Sequence, residues 1–270
     1  MTSLLEVHGL VKQFGGHRAV DEASFAVEAG SITRLIGPNG AGKTTLFNVI
    51  AGNLKPTSGR ILFDGEDVTG LESHALFHRG LLRTFQIAHE FGKLTVLENL
   101  MMVPPAQAGE QLMSAWFRPG LVRDQEAAVL EKAREVLAFL NFSHLANTLA
   151  GNLSGGQKKL LELGRTMMVD AKVVLLDEIG AGVNRTLLRE IGDAIERLNR
   201  DAGYTFCMIE HDLEFISRLC DPVIVMAEGE VLTEGTADEV KANEDVIKAY
   251  LGSGMKSRRP GAKGATDEAP

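Results

Sequence analysis

Long hydrophobic runs and a cysteine framework are both missing from this chain. No apolar stretch approaches the roughly 20 residues of a membrane-spanning helix, so no spanning segment is expected. The 2 cysteines, Cys207 and Cys220, lack a metal-ligand spacing, which excludes a disulfide scaffold and favours a reducing compartment. The first residues lack the basic region and the apolar segment of a signal peptide. We therefore expect a cytosolic protein.

A surplus of basic charge is also missing. The chain has 28 Lys and Arg against 36 Asp and Glu, a formal net charge of −8 at pH 7. Such a chain has no dominant basic face unless the charges cluster strongly, which argues against nucleic acid as a partner. At 270 residues it is long enough to bury the core of an α/β fold.

The most informative segment is a glycine-rich loop at residues 37–44, Gly-Pro-Asn-Gly-Ala-Gly-Lys-Thr. It lies between an apolar run and a helix-like stretch, which is the strand, loop and helix order that a phosphate-binding loop requires. Glycines let successive N–H groups surround an anion, and the following helix points its positive dipole end at the same anion. Lys43 can reach the β- and γ-phosphates, and the Thr44 hydroxyl can hold Mg²⁺. A chance glycine-rich turn is less favoured because of the flanking strand and helix.

A second signal is an acidic pair at the end of a buried strand. Residues 173–178 read Val-Val-Leu-Leu-Asp-Glu, which predicts a strand that brings two carboxylates to the carboxyl edge of the sheet, beside the phosphate loop. There Asp177 would hold Mg²⁺ and Glu178 would polarise the attacking water. Many buried strands end in acidic residues, so the pattern indicates nucleotide hydrolysis only in combination with residues 37–44.

Hydrophobic periodicity divides the chain into an α/β core and a helical insert. Apolar runs predict strands at 4–7, 23–27, 31–36, 60–63, 172–176, 204–209 and 222–226. Helical spacing predicts helices from about 95 to 170, at 187–198 and at 213–219. Alternation of strands and helices predicts a mostly parallel sheet that is covered on both faces. The last segment, 253–270, is expected to be a disordered tail.

A third motif, Leu-Ser-Gly-Gly-Gln at residues 153–157, resembles the signature of ATP-binding-cassette (ABC) proteins letter for letter. The resemblance extends over residues 4–252, with the three motifs in the family's order. It implies an α/β fold: a P-loop NTPase (RecA-like) core with an antiparallel β edge and an inserted helical subdomain at roughly 95–170. It also implies a single cassette over residues 1–252 that binds ATP and Mg²⁺ and hydrolyses ATP.

The resemblance also implies the roles of individual residues. Phe14 matches the ring that lies against adenine, Gln86 the lid glutamine, and His211 the switch histidine that contacts the γ-phosphate. The expected catalytic residues are Glu178, His211, Gln86 and Lys43, and the expected metal ligands are Thr44, Gln86 and Asp177. The expected nucleotide-binding residues are Phe14, Val20, Gly37, Pro38, Asn39, Gly40, Ala41, Gly42, Lys43, Thr44, Thr45, Ser154, Gly155 and Gly156.

Two residues depart from the family pattern. Ile179 stands where a proline usually follows the catalytic glutamate, which removes a fixed φ from that turn. Arg34 lies in a predicted strand at a position that is usually small or apolar.

The signature residues open a helix predicted at 157–168. Ser154 is an ordinary N-cap in the simplest interpretation, but the same helix start offers N–H groups, a hydroxyl and a dipole to a γ-phosphate. Since residues 37–45 already bind one nucleotide, this second anion site must serve a different one. The family implies that two cassettes pair head to tail, each signature closing on the partner's ATP.

Within the family, residues 14–16, 84–86, 102–119 and 246–252 resemble the ATPase subunit of branched-chain amino acid importers. Amide or urea importers and the lipopolysaccharide exporter's ATPase share the first two segments and remain alternatives. A soluble cassette ATPase and a small-molecule kinase are less favoured, since the chain has no heptad run and carries the signature. The branch implies a peripheral subunit at the cytoplasmic face of the inner or cell membrane. Its partners are a second ATPase in a heterodimer, two permeases and, indirectly, a substrate-binding protein.

Overall fold

An antiparallel sheet forms the N-terminal part of the computed structural model, which describes residues 3–84, 90–110, 112–180, 182–210 and 222–256. Its strands are β1 (Ser3–Phe14), β2 (His17–Glu28), β4 (Ser58–Phe63) and β5 (Glu66–Asp67), in the order β2-β1-β4-β5. β1 and β2 form a hairpin in which Phe14 pairs with His17, and Gly15 supplies the positive φ of the turn, 57°. Phe14 therefore lies at the tip of this sheet.

A mostly parallel sheet forms the centre of the molecule. Its strands are β3 (Ile32–Ile36), β6 (Leu81–Arg83), β7 (Val173–Asp177), β8 (Thr205–Ile209), β9 (Val223–Ala227) and β10 (Glu230–Gly235). Within the described residues their order is β10-β9-β3-β8-β7-β6, and every neighbouring pair is parallel except β9 and β10. β7, β8 and β9 are buried at every residue, as strands covered on both faces should be. This sheet confirms the predicted α/β core.

The two faces of the central sheet belong to different hydrophobic clusters. Val173 and Leu175 of β7 pack with the antiparallel sheet and with α1 (Lys43–Ile50), whereas Val174 and Leu176 pack with the helical insert and with α7 (Arg185–Ala202). The alternation of these side chains follows the two-residue period of a strand. The carboxyl end of β7 therefore lies between the two halves of the molecule.

Two helices predicted outside the insert lie among the described residues, α1 after the phosphate loop and α7, predicted at 187–198; the other three described there are not predicted from the sequence. α7 begins two residues before the predicted 187, after an N-cap in which Asn184 Oδ1 accepts from the Leu187 N–H at 2.9 Å. It ends at Gly203, whose φ of 70° makes the left-handed C-cap. The other helices are α2 (Ser73–Phe77), α8 (Ala237–Ala242) and α9 (Glu244–Lys256). The helix predicted at 213–219 lies outside the described residues. The predicted disordered tail at 253–270 also lies outside them, except for residues 253–256, which belong to α9.

A helical subdomain is inserted between β6 and β7, as predicted. It contains α3 (Val96–Met101), α4 (Leu112–Phe117), α5 (Pro119–Phe139) and α6 (Gly155–Met167), with short 3-10 turns at Ala108–Glu110, Ser143–Leu145 and Ala150–Asn152. Leu100, Ala133, Leu137 and Leu160 are buried together where α3, α5 and α6 meet. Among the helices that the structure describes, none is long and apolar enough to cross a membrane.

Candidate nucleotide-binding site

The phosphate loop joins the carboxyl end of β3, which lies between β8 and β9, to the start of α1. Two of its glycines have no room for a side chain. A Cβ on Gly37 would collide with the Met226 carbonyl oxygen, and one on Gly42 with the Ala19 carbonyl oxygen. Within the described part of the chain no side chain caps α1, so its first N–H groups are available to an anion. The loop geometry is therefore fixed by β2 and β9.

Lys43 is the buried cation of this loop. Its Nζ donates to the carbonyl oxygens of Gly37 at 2.7 Å and of Pro38 at 3.0 Å. Burial lowers the pKa of Lys43, and the Glu178 and Asp177 carboxylates partly oppose this shift. Charged phosphate oxygens are stronger partners for an ammonium group than neutral carbonyls, so a bound phosphate can displace the two loop carbonyls.

Asp177 ends β7 and forms a buried ion pair with Arg83 of β6. The carboxylate Oδ2 accepts from Arg83 Nη2 at 2.7 Å, and Arg83 Nη1 donates to Asn48 Oδ1 of α1 at 2.5 Å. The side chains of Arg83 and Asp177 are only 10% and 1% exposed. This pair therefore ties two strands of the sheet to the helix that follows the phosphate loop.

The other oxygen of Asp177, Oδ1, is buried and has no hydrogen-bond partner among the described residues. An ionised oxygen in that position is costly unless a cation satisfies it, so the carboxylate fits a Mg²⁺ ligand. Thr44, the second predicted ligand, is exposed near the start of α1. In the described part of the chain no three His, Cys, Asp or Glu side chains form a metal cluster.

Glu178 lies one residue beyond β7 with a left-handed φ of 48°, which is unusual for a residue with a side chain. Its N–H donates to the Ile209 carbonyl oxygen at 2.9 Å. Lys159 of α6 donates from Nζ to the carbonyl oxygens of Glu178 at 2.9 Å and of Ile179 at 2.8 Å. Other elements of the fold therefore hold the turn that carries Glu178.

The predicted nucleotide contacts of Phe14 and Val20 differ in accessibility. Phe14 is 47% exposed, and the Lys12 Nζ lies 5.0 Å from the centre of its ring. An exposed ring can stack on a base, and the adenine contact of Phe14 stays a prediction. Val20 is fully buried in the core of the antiparallel sheet, and this burial does not favour the predicted contact of its side chain with a nucleotide.

The signature segment starts α6 at Gly155, two residues before the predicted start. Ser154 is its N-cap in a capping box: the Gln157 N–H donates to Ser154 Oγ at 3.4 Å, and the Ser154 N–H donates to Gln157 Oε1 at 2.9 Å. A Cβ on Gly156 would collide with the Leu187 side chain, whereas one on Gly155 would meet nothing within 4 Å. Packing within this chain therefore explains the glycine at 156 and does not explain the glycine at 155.

Two predicted residues, Gln86 and His211, lie outside the described residues. The strand that leads to His211 is where the sequence predicts it. β8 pairs in parallel with β7, with Asp177 opposite Ile209, so the carboxyl ends of these two strands are neighbours.

Sequence reasoning missed three residues that organise the site: Arg83, Lys159 and Glu210. Glu210 directly follows the buried apolar strand β8. An acidic residue at the end of such a strand is the pattern that predicts Asp177, so the same pattern could have identified Glu210. No comparable pattern identifies Arg83 or Lys159, because a basic residue in a short strand or on a helix is usually exposed to solvent.

The central parallel sheet, the loop wrapped against β9 and the buried lysine at the start of α1 define a class, the P-loop nucleoside-triphosphate-binding proteins. Residues 20–181 match the ABC transporter family, and residues 230–255 match a second family described as branched-chain amino acid ATP-binding cassette transporter. The chain belongs to the ABC transporter family.

Similar proteins cover nearly the whole chain. The probable branched-chain amino acid transport ATP-binding protein LivG of Archaeoglobus fulgidus is 39% identical over 250 residues, 93% of this chain and 96% of that protein. The high-affinity branched-chain amino acid transport ATP-binding protein BraF of Pseudomonas aeruginosa is 37% identical over 249 residues, 92% and 98% of the two chains. A solved ADP conformation of an ATP-binding cassette of an ABC transporter is 38% identical, with a TM-score of 0.78 over 93% of this chain and 100% of that one. The predicted family and fold are confirmed.

Proposed function

We propose that this chain is the ATP-hydrolysing subunit of an importer for branched-chain amino acids. The observation that carries the ATPase part is a buried lysine and a buried carboxylate, Lys43 and Asp177, near enough at the edge of the sheet for the charge of Asp177 to act on Lys43. The match of residues 230–255 to the branched-chain amino acid family, together with the named relatives, supports the substrate class.

Each group of the site has a proposed role in hydrolysis. The N–H groups of residues 37–45 and the Lys43 ammonium hold the phosphates, and Phe14 stacks on the adenine. Glu178 orients the attacking water and accepts its proton, and His211 contacts the γ-phosphate. Thr44, Gln86 and Asp177 would hold Mg²⁺, which would supply positive charge to the phosphate oxygens.

Nucleotide binding is coupled to pairing of two cassettes. The signature of one cassette, residues 154–156, closes on the ATP held by the loop of the other. The open surface over Gly155 supports this role, since an approaching phosphate would meet no side chain there. ATP then stabilises the closed pair, which is the only state that binds both ends of the nucleotide. Loss of the γ-phosphate removes this contact, and the pair opens.

A groove between the core and the helical insert supports a docking role for membrane permeases. The cavity of about 360 Å³ is lined by apolar side chains that include Phe77, Leu81, Leu82 and Val103, and by polar and charged side chains that include Thr84, Glu162 and Arg165. Thr84 is the last described residue before the segment with Gln86. Gln86, the predicted lid glutamine, comes two residues later in the sequence. A second, related ATPase, two permeases and a substrate-binding protein complete the proposed importer, with this subunit peripheral at the cytoplasmic face of the membrane.

The catalytic assignment is tested with Glu178→Gln, which removes the base and keeps the size of the side chain. We expect ATP affinity within about threefold of the parent and a loss of turnover of 10²- to 10⁴-fold, the usual contribution of a general base. Glu135→Gln, at an exposed position of α5, is the control and should change neither quantity. Unchanged turnover in Glu178→Gln would refute the assignment.

The transport assignment is tested by isolating the chain from native membranes in mild detergent and identifying its stoichiometric partners by mass. We expect two polytopic permeases and a second cassette ATPase, together with a binding protein that takes branched-chain amino acids. A binding protein for amides or urea would instead support the neighbouring branch. Recovery of the chain alone, or with ribosomes, would refute the transporter role.

A further inference from the structure

The turn that follows β7 begins with a residue in an unfavourable backbone conformation. Glu178 has a left-handed φ of 48°, which costs energy for a residue with a Cβ and persists only where the surroundings enforce it. The next residue, Ile179, has the free backbone φ that proline would restrict. The shape of this turn must therefore be imposed by contacts from elsewhere in the fold.

Lys159 supplies the first of these contacts. Its Nζ donates to the carbonyl oxygens of both Glu178 and Ile179, at 2.9 and 2.8 Å. Two consecutive carbonyls that point at one donor fix the orientation of the peptide between them. Burial lowers the pKa of Lys159, while the nearby carboxylates of Glu210, Glu162 and Glu178 oppose that shift and favour the charged donor.

Glu210 supplies the second contact, from the end of β8. Its Oε1 accepts from the Gly180 N–H, and the side chain is almost fully buried. A Cβ on Gly180 would lie only 3.0 Å from the same oxygen, so the glycine permits this close approach. Arg34 Nη2 donates to the Glu210 carbonyl oxygen at 3.1 Å and holds the glutamate from β3.

These contacts give a common explanation for the two departures from the family pattern. Ile179 replaces the usual proline in the turn that Lys159 and Glu210 hold. Arg34 replaces a small or apolar residue and anchors Glu210. Both residues therefore affect the backbone next to Glu178: Ile179 is part of it, and Arg34, although distant in sequence, contacts it through Glu210.

We propose that Lys159 and Glu210 are positioning residues for Glu178, and that they fix the turn that proline fixes elsewhere in the family. This inference rests on the proposed catalytic role of Glu178. Neither residue needs to touch the nucleotide. Each acts through the main chain of residues 178–180, and its loss should reduce the rate of hydrolysis much more than the affinity for ATP.

The test uses the purified, full-length chain in its transporter complex, with kcat, KM for ATP and ATP affinity measured for each variant. Lys159→Met keeps the length of the side chain without a donor, and Glu210→Leu removes the acceptor. We expect kcat to fall at least tenfold in both, with KM and affinity within threefold of the parent. Glu210→Gln keeps an acceptor oxygen and should stay within threefold in kcat. Lys132→Met, on the surface of α5, is the control for loss of a lysine.

Rescue by proline separates positioning from general loss of structure. Adding Ile179→Pro to Lys159→Met should recover at least threefold of the lost kcat, because it restores a fixed φ at the turn. Hydrogen exchange at residues 178–180 should be faster in Glu210→Leu than in the parent and normal in Glu210→Gln. If Glu210→Leu does not fold, the comparison of Glu210→Gln with Lys159→Met and its rescue decides the question.

The outcomes distinguish this inference from the proposed function. If Glu178→Gln loses turnover while Lys159→Met and Glu210→Leu keep it, the positioning role is wrong and the catalytic role stands. If Glu178→Gln keeps its turnover, the catalytic role itself fails. A parallel loss of kcat and ATP affinity in Lys159→Met, without rescue by Ile179→Pro, would also overturn the positioning role.

Discussion

The ion pair between Asp177 and Arg83 allows a prediction of stability that is independent of nucleotide binding. Asp177→Asn leaves the Arg83 guanidinium buried beside a neutral amide, because both side chains are almost inaccessible to water. Loss of one partner of a buried ion pair costs about 3–5 kcal/mol. Arg83 keeps its hydrogen bond to Asn48 Oδ1, so we expect a cost near the lower limit, about 3 kcal/mol.

The measurement is urea unfolding of the chain without nucleotide. With an unfolding slope of about 3 kcal/mol per molar urea, a loss of about 3 kcal/mol lowers the midpoint by about 1 M. The control is Asp64→Asn, which breaks the pair of Asp64 with Lys172 at 2.5 Å, whose side chains are 55% and 51% exposed. An exposed pair of this kind contributes about 0–1 kcal/mol, so the control should lower the midpoint by at most about 0.3 M.

A double replacement tests the physical reason for that cost. Asp177→Leu combined with Arg83→Met removes both charges, and replacement of a buried pair by apolar side chains of similar volume is often neutral or stabilising. We therefore expect the double variant to unfold at a higher urea concentration than Asp177→Asn. Equal midpoint shifts in Asp177→Asn and Asp64→Asn would refute the reasoning, since burial would then make no difference.

Two further predictions concern the phosphate loop and the signature. Burial lowers the pKa of Lys43 in the folded chain, whereas in the unfolded chain the pKa is about 10.4. Between these two values the unfolded chain binds more protons at Lys43 than the folded chain does. The free energy of unfolding therefore rises with pH in this range. Lys43→Met should flatten that rise and leave the stability near pH 7 equal or higher, which urea midpoints between pH 7 and 10 measure. The same variant should not bind ATP, which an ATP titration measures. Gly156→Ala should lower stability by about 1–3 kcal/mol because its methyl group meets Leu187, while Gly155→Ala should leave stability within about 0.5 kcal/mol. Gly155→Ala should nevertheless reduce the ATPase activity of the paired cassettes at least tenfold.

Each of these predictions has a definite contrary result. An unchanged pH dependence of unfolding in Lys43→Met would show that the lysine is not penalised by burial. Normal ATPase activity in Gly155→Ala would argue against a nucleotide phosphate over that residue. Equal destabilisation by Gly155→Ala and Gly156→Ala would contradict the packing of α6 against Leu187.

The sequence predicts those parts of the site that a short segment encodes. The loop at residues 37–44, the N-cap at Ser154 and the carboxylate at the end of β7 depend on backbone conformations and dipoles that few residue types supply. It misses β5, β6 and β10, because β5 and β6 have only 2 and 3 residues and the apolar side chains of β10, Val231 and Leu232, are adjacent rather than alternating. Short strands give too little periodicity to be distinguished from loops.

The sequence alone thus determined the class of fold, the phosphate loop and the acidic strand end, because each is a local pattern with a backbone reason. Only the tertiary structure decided which side chains complete the site. Arg83 meets Asp177 across 94 positions, and Glu210 meets Gly180 across 30. These contacts exist because parallel strands bring distant segments to one edge of the sheet, and the order of the strands is set by packing of the whole chain.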